Sequence, residues 1–152
     1  MLVMNRNQKS LTFSKSDPFP CFSFSCLSLC PGLNNVIREL TLFLYNRYEA
    51  NQVWGIRGGW NGFQDYEPLL LTKEWVDSIH HEGGSALKTS RGGLHTDRVI
   101  EFLQEKQIAH LYIIGGDGTH RAAYKVHQAC RAQNLNIAIA GIPKTMYVTK
   151  QE

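Results

Sequence analysis

At 152 residues the chain has room for one domain, with a core large enough to need no disulfide or metal staple. Its hydrophobic share of 43% and charged share of 19% are ordinary for a globular protein, and a net charge of +3 is too small for a nucleic-acid footprint. No run of about 18 apolar residues occurs, which excludes a membrane-spanning helix, so neither nucleic acid nor membrane is expected as a partner. The four cysteines at 21, 26, 30 and 130 lack paired spacing, which favours reduced thiols in a cytosol-like compartment. Cys26 and Cys30 have no second ligand pair with which to hold zinc.

Residues 1–29 are rich in Ser, Phe and Leu, with Arg6, Lys9 and Lys15 against the single acid Asp17, which imitates an organelle transit peptide. Pro18, Pro20 and the serines interrupt any signal-sequence core, and PFPCFSFSCLSL would also come from translating a pyrimidine-rich non-coding stretch. The segment is read as a disordered leader or as such an artefact, and the fold is expected to begin at residue 30.

From Pro31-Gly32, the stretch NNVIRELTLFLYNRY sets Val36, Ile37, Leu40, Phe43 and Leu44 at helical spacing and predicts a helix over 34–48, capped by Asn34 or Asn35. QVWGIRGG reads as a short buried strand ending in glycines, NGFQDYEP as a loop, and TKEWVDSIH as a helix capped by Thr72. After the glycine-rich loop HEGGSALKTSRGG, Val99, Ile100 and Leu103 share one face of a further helix. IAHLYIIGG is a continuous apolar run ending in two glycines, as in a parallel strand buried on both faces. THRAAYKVHQACRAQ reads as helix, and NIAIAGIP repeats the buried-strand pattern up to Pro143. This alternation predicts right-handed βαβ units in a Rossmann-like three-layer α/β sandwich with a mostly parallel sheet. Ligands of such sheets bind beyond the carboxyl ends of the strands, which here means the loops after 57, 114 and 142.

The sharpest local signal is Gly115-Gly116-Asp117-Gly118-Thr119, between a buried strand and a helix start. Glycines admit phosphate oxygens to backbone N–H groups, Thr119 can cap a helix whose N-terminus favours anions, and Asp117 offers a hard oxygen to Mg²⁺. A plain strand-to-helix turn gives the same string. In Ser90-Arg91-Gly92-Gly93 a guanidinium beside flexible glycines could clamp phosphate, although a solvated loop arginine is the ordinary reading. In Ile142-Pro143-Lys144-Thr145, Lys144 could neutralise transferring phosphate and Thr145 could bond a substrate hydroxyl. His80, His81 and His120 show no organised ligand set and read as solvated or core side chains.

CPGLNNVIREL, GIRGGWNGF, TSRGG, IIGGDGTH and AGIPKT occur in the order and approximate spacing of the ATP-dependent 6-phosphofructokinases, and over about residues 30–146 the chain resembles the plant-type members. GGDGT alone also occurs in NAD kinases and in diacylglycerol or sphingosine kinases, which do not bring PGLNNVIR or a trailing PKT. The resemblance implies a phosphofructokinase nucleotide-binding domain over 30–146, acting in glycolysis on ATP and fructose 6-phosphate, in the cytoplasm or a plastid. It implies that Asp117 binds Mg²⁺, that Gly116, Gly118 and Thr119 line the ATP phosphates, and that Arg91 and Gly92 form the other ATP-contact loop. Trp60 would flank the nucleotide and Thr145 would contact fructose 6-phosphate. Members that use pyrophosphate typically place a second aspartate where this chain has Gly118, so the resemblance implies ATP as donor.

Two departures from the pattern matter. Leu27 and Ser28 replace the glycines of the family's first phosphate loop, where side chains obstruct close backbone approach. After Pro-Lys-Thr the family continues Ile-Asp-Asn-Asp, whereas here Tyr147 takes the place of the aspartate general base within a divergent tail, 147–152. A tyrosine with pKa near ~10 is protonated at neutral pH, and losing a positioned base costs roughly 10²- to 10⁴-fold. No catalytic residue is then retained. Because the family's second half, with most sugar-phosphate contacts, is not in this sequence, the chain is expected to be a truncated, incomplete and impaired form. The alternatives are a non-catalytic nucleotide-binding fragment, or one that associates with intact phosphofructokinase subunits.

Overall fold

A computed structural model describes residues 21–26, 30–90 and 92–144. Expectations resting on residues 1–20, Leu27, Ser28, Arg91, Thr145, Tyr147 and the rest of the tail lie outside the described residues.

Five strands form one sheet: β1 (Cys21–Cys26), β2 (Gln52–Ile56), β3 (Leu69–Leu70), β4 (Ile108–Gly115) and β5 (Ala138–Pro143), in the order β3-β2-β1-β4-β5. β1 runs parallel to β2 and β4, β4 runs parallel to β5, and β3 is an antiparallel edge paired to β2. The register sets Phe24 opposite Gly55 on one side and Tyr112 on the other, and Ile114 opposite Ile142. The expected start of the fold at residue 30 is therefore late: CFSFSC, read as part of the leader, supplies the central strand. Its aromatic alternation suits a strand, but its serines and its proline-rich approach hid that from composition.

Helices α1 (Leu33–Arg47), α2 (Gly62–Asp65), α3 (Lys73–Val76), α4 (Thr96–Glu105) and α5 (Asp117–Ala132) complete the fold, with single 3₁₀ turns at Gly59–Asn61 and Ile79–His81. One face of the sheet carries α1, α3 and the second turn, with Leu33, Ile37, Leu44, Val53, Val76 and Ile114 in one core. The other face carries α4 and α5, with Val99, Leu103, Leu111, Ile113 and Val126 in a second. β4 feeds both cores: Ile114 enters the first and its neighbour Ile113 the second, each fully buried. That explains the continuous apolar run, since a strand covered on both sides has no solvent face to make polar. Each such side chain contributes roughly 1.5–3 kcal/mol of burial. The three-layer, mostly parallel α/β architecture agrees with the sequence reading.

Local differences have local causes. The N-cap of α1 is Gly32, held left-handed at φ 76°, and neither Asn34 nor Asn35 caps it. Leu33 N–H bonds the Cys30 carbonyl at 3.1 Å, so the entry is a tight turn through Pro31-Gly32 that favours glycine. Thr72 does cap α3, accepting from Trp75 N–H at 3.1 Å. The helix stops at Val76, where the Asp77 N–H turns to the Glu74 carbonyl at 3.3 Å, three residues back, instead of continuing the ladder, and the Asp77 carbonyl accepts from Arg38 Nε of α1 at 3.2 Å. The segment read as a loop after β2 contains α2, and β3 pairs with β2 where no strand was expected.

From β1 the chain crosses through α1 to β2 on one side, and β4 crosses through α5 to β5 on the other. The strand order reverses between β1 and β4, so their carboxyl ends open a crevice of the kind in which α/β sheets bind ligands.

Candidate functional site

Gly115 closes β4 and Gly116 is the N-cap of α5 in extended conformation, so Asp117, Gly118 and Thr119 form the first turn of a 16-residue helix. First-turn N–H groups have no intrahelical carbonyl and point at the crevice side of the sheet, where the dipole favours an anion. Asp117 is exposed at this edge. Thr119 does not cap the helix, as the sequence suggested; its side chain folds back over Gly115, where an added Cβ would lie 2.5 Å from Thr119 Oγ1. The missing side chain at Gly115 is what lets the turn close so tightly. Gly118 differs, because a Cβ there meets no atom within 4 Å and faces open space.

The loop after β5 joins this turn directly. Lys144 N–H donates to the Gly115 carbonyl at 3.0 Å, extending the β4–β5 pairing past Pro143. Cys30 Sγ–H donates to the Lys144 carbonyl at 3.6 Å, and Lys144 Nζ lies 3.7 Å from the point a Gly32 Cβ would occupy. The ammonium therefore stands at the N-terminus of α1. Three segments meet at one edge: the turn before α1, the glycine turn before α5, and Pro143-Lys144. His120, next after Thr119, packs its imidazole over Gly141 of β5, where any Cβ would collide with it. Neither of its ring nitrogens, both buried, has a hydrogen-bond partner.

The second predicted loop sits on the other side of β1. Ser90 Oγ donates to the Gly58 carbonyl at 2.6 Å, and Gly58 N–H donates to the Leu87 carbonyl at 2.9 Å. Gly92 and Gly93 are both left-handed, at φ 73° and 78°, and Gly93 packs so closely on Asn61 that no side chain fits there. The Ser90–Gly93 segment is thus tied to the end of β2, two strand spacings, roughly 10 Å, from the end of β4. Gly92 belongs to this loop; Arg91, Thr145 and Tyr147 are outside the described residues. Sequence reasoning missed Ser90 as the tether, although a hydroxyl preceding a run of glycines is a recognisable loop anchor.

Trp60 is not available to flank a nucleotide. It is 3% exposed, belongs to the core with Ile113 and Ala123, and stacks on Phe63 at a centroid distance of 6.0 Å. The glycine-rich 3₁₀ turn at 59–61 folds its indole inward, which composition does not reveal.

A divalent cation has one carboxylate to bind in the glycine turn, and among the described residues no group of three His, Cys, Asp or Glu could hold a metal. That donor set fits Mg²⁺, which takes one or two protein carboxylates and completes its shell with water and phosphate oxygens. Also among the described residues, no helix is long and apolar enough to cross a membrane.

Residues 26–147 match the sequence profile of the phosphofructokinase family. The chain is 40% identical over 134 residues to ATP-dependent 6-phosphofructokinase 4, chloroplastic, of Arabidopsis thaliana, covering 88% of this chain and 25% of that one. It is 44% identical over 124 residues to the ATP-dependent 6-phosphofructokinase of Entamoeba histolytica, covering 80% and 28% respectively. Among solved structures, Pichia pastoris phosphofructokinase in the T-state superposes with a TM-score of 0.71 at 27% identity, over 88% of this chain and 14% of that one. A pyrophosphate-dependent phosphofructokinase from Marinobacter aquaeolei gives a TM-score of 0.73 at 20% identity, over 84% and 34%, a likeness of fold alone. The chain spans about a quarter of the length of the relatives it matches in sequence. With a matching profile across most of its length and the same architecture, the chain belongs to the phosphofructokinase family.

Proposed function

We propose that this chain is a nucleotide-binding portion of an ATP-dependent 6-phosphofructokinase, the enzyme class that converts fructose 6-phosphate and ATP to fructose 1,6-bisphosphate and ADP. The observation that carries the reading is the open first turn of α5, where exposed Asp117 stands between the flexible Gly116 and the uncrowded Gly118, with Lys144 anchored to Gly115 alongside. In this reading the N–H groups of Gly118 and Thr119 receive the triphosphate, Asp117 holds the Mg²⁺ that travels with it, and Gly92, with Arg91 on the family pattern, supplies the other ATP contact. The cation, when bound, screens phosphate charge. The family pattern assigns Thr145 to the contact with fructose 6-phosphate. The bare Gly118 favours ATP over pyrophosphate, because a side chain there would occupy the space a nucleotide needs.

Tyr147 stands where the family carries its aspartate general base, so this polypeptide is proposed to bind nucleotide while transferring phosphoryl groups to fructose 6-phosphate very slowly or not at all. The nucleotide-binding unit is taken as 30–146, extended at its start by β1. The compartment proposed is the cytoplasm, with a plastid as the alternative. Titration calorimetry of the purified chain with Mg-ATP tests the reading. Binding is expected, and Asp117→Ala is expected to weaken it about 10-fold or more while leaving metal-free ATP much less affected. Unchanged Mg-ATP affinity in that variant would remove Asp117 from the site, and rapid fructose 1,6-bisphosphate formation would contradict the assignment of Tyr147.

A further inference from the structure

With Trp60 folded into the core, the base of a bound nucleotide has no aromatic partner at the position the family pattern suggested. The same stretch of chain offers another ring. Tyr66 follows directly on α2 and is 46% exposed. Its ring lies against the backbone of left-handed Gly58, where an added Cβ would come within 2.9 Å of Tyr66 Cε2. Gly58 is also the residue to which Ser90 Oγ ties the Ser90–Gly93 loop, so the ring and the loop share one anchor. The Arg57 guanidinium and the Lys88 ammonium each stand 5.9 Å from the ring centroid, close enough to be drawn to its electron-rich face.

Arg57 Nε–H is buried and has no acceptor among the described residues, although Nη2 of the same group donates to the Glu67 carbonyl at 3.4 Å. A buried donor left open is costly unless something supplies its acceptor. Among the described residues neither Arg57 nor Lys88 forms an ion pair, and exposed Asp65 and Glu67 bracket Tyr66 in sequence. Two cations against two carboxylates leave the surroundings of the ring close to neutral, which disfavours a phosphate and suits a flat, uncharged group. A purine is flat and uncharged, and its ring nitrogens accept hydrogen bonds. The sheet sets where such a base would fall. With its phosphates in the turn before α5, an extended nucleoside triphosphate that crosses β1 brings its base to the end of β2, where Tyr66 lies on Gly58. We propose that Tyr66, seated on Gly58 and flanked by Arg57 and Lys88, is the stacking platform for the purine base of the phosphoryl donor. This rests on the nucleotide reading above and adds to it the residue that recognises the base.

Titration calorimetry of the full 152-residue chain with Mg-ATP, Mg-CTP and Mg-tripolyphosphate tests this, the last carrying the phosphates without a base. Wild type is expected to bind Mg-ATP more tightly than Mg-CTP, whose smaller ring overlaps the tyrosine less. Tyr66→Leu should weaken Mg-ATP about 10-fold and leave Mg-tripolyphosphate unchanged, whereas Tyr66→Phe keeps the ring and should stay within about 2-fold of wild type for both. Retained tripolyphosphate affinity shows that the phosphate site of the variant is folded, and circular dichroism checks the fold independently. Three results overturn the proposal while leaving the nucleotide reading intact: equal wild-type affinities for Mg-ATP and Mg-CTP, unchanged Mg-ATP affinity in Tyr66→Leu, or an equal loss of Mg-ATP and Mg-tripolyphosphate in that variant, which would make Tyr66 a support of the loop alone. A wild-type chain that binds neither Mg-ATP nor Mg-tripolyphosphate overturns both.

Discussion

Gly115 and Gly118 lie three residues apart in one turn and are glycine for opposite reasons. At 115 a side chain would strike Thr119, so alanine there should push the start of α5 away from β4 and cost roughly 1–3 kcal/mol in urea denaturation. At 118 nothing in the protein stands in the way, and alanine in a helical first turn should be neutral or stabilising by about 0.5–1 kcal/mol. Folding alone therefore gives no reason for glycine at 118, whereas a triphosphate lying against that backbone gives one. Gly118→Ala is expected to keep or raise stability while lowering Mg-ATP affinity. A variant as tight as wild type by calorimetry would show that the phosphates do not pass over residue 118.

At the scale of elements, the least obvious brace is Asn34. Buried at 3% exposure in the first turn of α1, it donates from Nδ2 to the Glu82 carbonyl at 3.1 Å and accepts from Ala86 N–H at 2.9 Å. One side chain thereby fastens the segment between α3 and α4 to the helix whose N-terminus borders the crevice. Asn34→Ala leaves two part-buried backbone groups unpaired and should cost roughly 1–3 kcal/mol, with faster hydrogen exchange at the Ala86 amide; an unchanged Ala86 rate would show that the brace carries nothing. The sequence signalled Asn34 only as a cap, because short-range patterns cannot show a bond to a residue 52 positions away. The same limit hid Trp60, whose inward turn depends on packing against α4 and β4, and β3, whose two residues gain strand character only by pairing with β2. What was legible was locally determined: the apolar run of β4, the one-sided spacing of α4, the Thr72 cap, and the glycine turn where strand gives way to helix. Arg91 and Thr145 remain proposals resting on the family pattern.

Across the whole molecule, the sheet's burial on both faces has a consequence for acid stability. His110 lies in β4 between β1 and β5, its ring 6.4 Å from that of Tyr112, and burial pushes its pKa below the ordinary histidine value of 6.5. The folded protein therefore holds this imidazole neutral at pH values where the unfolded chain would protonate it. Below the unfolded pKa the unfolded state binds more protons, so stability is fully present above about pH 6.5 and falls as pH drops toward the depressed folded value. His110→Gln removes this contribution while keeping a polar side chain of similar reach. Chemical denaturation at a series of pH values from neutral to mildly acidic should show wild type losing stability more steeply than the variant, with the curves separating only below the ordinary histidine pKa. Parallel curves would mean that His110 titrates alike in both states, and that the central sheet admits enough water to solvate a charge between its helical layers.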